Sequence, residues 1–131
     1  MEQNEKTRAL LAAFGCALAY LLAGKALTAV LPQVPEEAAW MWAFVHRCAA
    51  APIVEELVFR GAIQQLARPL GERQAVALQA VLFAVQHKGP AGMAYALVCG
   101  LVLGTIRSRT GSVWPGMLLH TLNNLLVFAA G

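Results

Sequence analysis

The constraint that dominates this chain is repetition. Apolar blocks of membrane-spanning length recur along it, separated by short turns rich in proline, glycine and arginine. The first block, residues 9–31, carries Lys25 as its only charge. At about 1.5 Å per helical residue it crosses a hydrocarbon core of about 30 Å. The chain is 59% hydrophobic and 13% charged over 131 residues, against about 25% charged in an ordinary soluble domain. That is too little polar surface to cover a compact soluble body. The pattern predicts an all-α, polytopic transmembrane bundle of about five helices, over residues 9–31, 38–67, 74–87, 91–106 and 113–130. The length suits one domain, 1–131.

Details within the blocks sharpen this expectation. Gly15, Ala19 and Ala23 recur every four residues and predict a close-contact face on the first helix. Gly92, Ala96, Gly100 and Gly104 form a second small-residue ridge, suited to an internal contact or a dimer. Pro52 lies inside the second helix and predicts a kink or a junction there. Pro115 falls in the first turn of the last helix, where proline is tolerated.

Basic residues occupy alternate loops. Lys6 and Arg8, Arg68 and Arg73, and Arg107 and Arg109 share one side, while the other has Glu36, Glu37 and Lys88. The positive-inside rule then puts the amino terminus in the cytoplasm of a multi-pass protein of the cell (inner) membrane. The net charge is +3 without a basic stripe, which argues against nucleic acid as a partner. Cys16, Cys48 and Cys99 are odd in number and read as buried thiols. The first block is too long for the core of a cleavable signal peptide.

Three polar clusters interrupt the apolar blocks. In "EELVFR", Glu56 and Arg60 are i and i+4 and can pair, while Glu55 points about 100° away and lacks that partner. An unpaired carboxylate in a low-dielectric site is suited to carrying protons. "FAVQH" ends the third helix with Phe83 and His87, and "HTLNN" places His120 and Asn124 on one face of the fifth, with Asn123 able to serve in place of Asn124. Alone, the glutamate cluster points to function more than to a tie between helices, because intramembrane ionisable groups are rare; His87 alone reads equally as an interfacial residue, and "HTLNN" alone reads rather as polar glue between helices. Counted along their helices, the three reach a similar depth, roughly 18–21 Å from the basic side.

In order, "EELVFRG", "FAVQH" and "HTLNN" resemble the EExxxR, FxxxH and HxxxN signatures of the CPBP family, the type II CAAX prenyl endopeptidases and bacteriocin-processing or immunity (ABI) proteins. The resemblance covers about residues 54–124. It implies that Glu55 polarises a water with His87 as its partner, and that His120 and Asn124 donate to the developing oxyanion. Glu56 and Arg60 would support them and Phe83 would wall His87. The implied reaction is endoproteolysis of a membrane-associated protein or peptide. Prenylated C-termini, peptide precursors and C-terminal membrane anchors are the substrate classes to consider, the last two suiting so compact a chain better.

Other readings compete. Glu55, His87 and His120 could make a carboxylate–two-histidine zinc site, yet no HExxH occurs, so a cofactor-free glutamate mechanism is the expectation. A non-proteolytic immunity or scaffold protein would keep the polar layer for packing. A small transporter or proton channel would use the same groups, although the chain lacks inverted repeats.

Overall fold

A computed structural model describes residues 2–131. The described residues are all-helical and form five main helices. We number them α1 (Glu2–Val30), α2 (39–66), α3 (Glu72–Ala84), α4 (Gly89–Thr110) and α5 (Trp114–Ala130). A turn at Glu36–Ala38 leads into α2, and another at Arg68–Leu70 leads into α3. The helix pattern expected from sequence is present, with shifted ends. α1 starts within the polar lead, and α3 stops at Ala84 instead of running to His87. α4 ends because Gly111 takes a left-handed conformation (φ 70°), from which its N–H bonds the Arg107 carbonyl at 3.0 Å.

Two helices, α1 and α4, are long and apolar enough to cross a membrane. α5 has 17 residues, about 25 Å, and α3 only 13, about 20 Å. α3 is therefore at most a partial span.

Pro52 does not break α2. The helix passes it by widening: residues His46–Ala50 and Glu56–Ile63 are π-helical, flanking a short α-helical stretch that holds the proline. Ala51 donates to the His46 carbonyl and Gln64 to the Phe59 carbonyl, both five residues back. Such wide turns are uncommon and cluster at functional sites.

The core lies where α1, the second π stretch and α3 meet. Phe59, Ile63, Phe83, Leu82, Ala13 and Ala17 pack there. Tyr20 meets Phe59 edge-on at 5.6 Å between ring centroids, and Phe59 meets Phe83 the same way at 5.1 Å. α1 turns Ala9, Ala13 and Ala17 inward. This corrects the sequence expectation, because Gly15, Ala19 and Ala23 lie on the exposed face and Gly15 has no neighbour within 4 Å of where a Cβ would sit. Two small-residue faces run along α1, and the one that docks is flanked by Cys16 and Tyr20, which add packing to it.

The α4 ridge faces inward. A Cβ on Gly100 would lie 2.9 Å from Ala80 Cα, so α3 and α4 touch almost backbone to backbone. Gln79 on α3 donates to the Gly100 carbonyl at 2.8 Å, and Gln64 on α2 donates to the Gly104 carbonyl and to Ser108 Oγ, each at 3.0 Å. The ridge is thus spent on internal contacts.

Candidate active site

The second π stretch builds the floor of the site. Glu56 and Arg60 are both fully buried, with Arg60 Nη1 3.1 Å from Glu56 Oε1. The contact is off the hydrogen-bonding direction, so it is Coulombic in character, and the guanidinium nitrogens have no hydrogen-bond acceptor. Arg60 instead lies with Cζ 4.5 Å from the Phe83 ring centroid, a cation–π contact in a dry environment. Phe83 therefore does more than wall His87: it carries the arginine on one side and both histidines around it.

From α5, His120 enters between the two glutamates. Its Nδ1 is 2.9 Å from Glu56 Oε1 and its Nε2 is 3.6 Å from Glu55 Oε2. A carboxylate can only accept, so Nδ1 carries a proton and Glu56 fixes which way the ring faces. Glu56 thus bridges Arg60 and His120, while Glu55, turned about a quarter-circle away, keeps 21% of its side chain exposed. Sequence spacing shows the Glu56–Arg60 pair; the His120 bridge, across 64 positions, it does not.

His87 sits in the turn after α3. Its Nδ1 is 3.0 Å from the Phe83 carbonyl, which can only accept, so Nδ1 bears the proton and Nε2 is left free. The ring stands edge-on to Phe83 at 4.7 Å, and Phe83 meets His120 at 5.8 Å. His87, His120 and Arg60 all lie within electrostatic reach of Glu55.

Asn124, one turn beyond His120, makes a different contact. Its Nδ2 donates to the Arg47 carbonyl at 2.8 Å, and its Oδ1 accepts from Asn123 at 3.4 Å. The Arg47 carbonyl is free because Pro52, five residues on in a π-helical register, has no N–H to offer. Among the described residues, no hydrogen bond joins Asn124 to Glu55, Glu56, His87 or His120. Asn123 bonds Tyr95 of α4.

Sequence reading passed over Gln64 and Gln79, which are buried and clamp α4 to α2 and α3. A signal existed. Gln64 extends the Glu56–Arg60 row by four residues, and Gln79 and Phe83 precede His87 at the same interval.

A carboxylate with two histidines is a zinc-binding donor type. Among the described residues, no three or more His, Cys, Asp or Glu side chains are arranged to hold a metal ion. Nδ1 of His120 faces Glu56 and Nδ1 of His87 faces a carbonyl, which leaves Nε2 as the nitrogen of each ring not engaged in these contacts.

A helical membrane bundle with an acid–base cluster of two glutamates and two histidines in its interior is the class that this fold and site define. The chain belongs to the type II CAAX prenyl endopeptidase family, whose Rce1-like model matches residues 35–126. No curated protein and no solved structure matches it. Every residue of the cluster lies within the matched span, and most of α1 precedes it. The family is membrane-integral, in keeping with the two helices long and apolar enough to cross a membrane.

Proposed function

We propose that this chain is an intramembrane endopeptidase that hydrolyses a peptide bond in a membrane-associated protein or peptide through a water activated by Glu55 and His87. The observation that carries the reading is the division of labour between adjacent glutamates. Glu56 is occupied by Arg60 and His120, whereas Glu55 is half-buried, partly open and beside His120 Nε2. Glu55 takes a proton from water as the oxygen attacks the carbonyl carbon, and returns it to the leaving amine nitrogen. His87, with Nδ1 held by the Phe83 carbonyl, offers Nε2 to orient the same water. His120, with Nδ1 on Glu56 and Nε2 toward Glu55, is the residue that faces the oxyanion and donates to it from Nε2. The Asn124 amide has two N–H groups; one holds Arg47 and the second is available to that oxygen. The reaction needs no metal, and the protein acts in the cell membrane.

The test is cleavage of two peptides by the detergent-purified chain, read by mass spectrometry. One is a farnesylated peptide ending in C-a-a-X, the other a C-terminal membrane anchor with its flanking residues. Glu55→Gln, which keeps shape and removes the base, should slow cutting at least about 100-fold. Cutting by this variant at the wild-type rate defeats the mechanism. Loss of wild-type activity to a chelator, with recovery on zinc addition, defeats its metal-free form.

A further inference from the structure

Glu56 is held from a third direction that neither Arg60 nor His120 explains. A Cβ built on Gly116 would lie 3.0 Å from Glu56 Oε2 and 3.8 Å from its Cδ. The first turn of α5 therefore rests against the carboxylate. Oε2 is buried and accepts no hydrogen bond. On the helix side, Trp114 donates to Ser112 Oγ at 3.3 Å and Met117 to the Val113 carbonyl at 2.9 Å. Pro115 has no N–H, and the Gly116 N–H has no backbone acceptor among the described residues. The first turn of this 17-residue helix carries the partial positive charge of its unshared amides, which suits a carboxylate. Gly116 and His120 are also i and i+4, so one face of α5 meets both oxygens of Glu56.

We propose that Gly116 is a positioning residue: lacking a side chain where α5 meets Glu56, it seats the carboxylate against the helix start and so fixes His120 with Nδ1–H on Glu56 and Nε2 toward Glu55. The catalytic meaning of this rests on the proposed function; the geometry does not. An apolar substituent at Gly116, which offers Oε2 no donor in return for the close approach, displaces a carboxylate that is pinned on its far side by Arg60, and the displacement passes directly to His120. The nearest other atom, Leu103 Cδ2, is 3.8 Å away and leaves ordinary room.

The experiment uses the full chain with imidazole-¹⁵N histidine in detergent micelles, with His120 signals identified by their loss in His120→Gln. In the wild type, His120 should show a slowly exchanging Nδ1–H. Gly116→Ala should lose that protected proton while the His87 Nδ1–H, held by the Phe83 carbonyl, stays unchanged and reports an intact fold. Gly116→Ser should retain it, since the hydroxyl can donate to the unpartnered Oε2. An alanine variant with wild-type His120 and His87 signals overturns the proposal. Should alanine abolish both signals, the serine variant decides: both signals present supports the seat, both absent overturns it. Because no substrate is involved, a failed cleavage assay leaves this result standing, and the reverse also holds.

Discussion

Arg60 and Glu56 form a buried ion pair whose two members are worth much less alone than together. Arg60→Met leaves a buried carboxylate without its permanently charged partner, and the expected cost is about 3–5 kcal/mol. Pairing it with Glu56→Gln removes the stranded charge and should recover most of that loss. Tryptophan fluorescence during unfolding in mixed detergent measures both variants, and simple addition of the two single costs would show that the pair is not coupled. The i,i+4 interval made this contact readable before any coordinates. The link from Glu56 to His120 was not readable, because it depends on the angle at which α5 crosses α2, which no local spacing encodes. The same holds for His87, whose ring orientation comes from α3 ending one turn early and exposing the Phe83 carbonyl.

At the level of elements, Pro52, the π turn before it and Asn124 act as one device. Proline removes an amide, the Arg47 carbonyl is left over, and a side chain from another helix takes it. Asn124→Ala should therefore cost about 0.5–1.5 kcal/mol, the net contribution of one hydrogen bond, by taking the donor from the Arg47 carbonyl. Asn124→Asp should do no better, since a carboxylate offers that carbonyl no N–H, and equal stability of all three forms would remove the device. The α3–α4 contact is a second such case. Gly100→Val adds branched bulk where even a Cβ would lie 2.9 Å from Ala80, so α3 must shift. Overpacking of this kind costs about 1–3 kcal/mol, and it should broaden the His87 signals as α3 moves. Which glycines matter was only half legible. The α4 ridge was visible as a pattern, whereas on α1 two small-residue faces were equally plausible and the flanking Tyr20 and Cys16 decided between them.

The whole molecule has two chemically distinct ends. At one, Asn4, Glu5, Arg8, Leu66 and Pro69 line a shared cleft, and Ser108 bonds both Gln64 and Glu72, so the three basic segments gather together. At the other, Trp40, Phe44 and Phe128 cluster, with Arg47 5.7 Å from the Phe128 ring centroid. Basic residues are retained on the cytoplasmic side, so the first end should face the cytoplasm and the aromatic end the exterior. Reporter cysteines at Gln3, Gln74 and Gln33, in a chain with Cys16, Cys48 and Cys99 replaced by alanine, test this in intact cells. A membrane-impermeant maleimide should label Gln33→Cys from outside, and Gln3→Cys and Gln74→Cys only after permeabilisation. The inverse pattern reverses the orientation. Labelling of Gln3→Cys and Gln33→Cys from one face would mean that α1 does not cross, and the glutamates could not then lie inside the bilayer. Since α3 is a partial span that begins among the basic segments, an orientation with those segments inside also sets the depth of His87, about 20 Å in from the cytoplasmic face. Under the proposed function a substrate bond must reach that depth to be cut, which favours a segment already embedded in the membrane over one passing in solution.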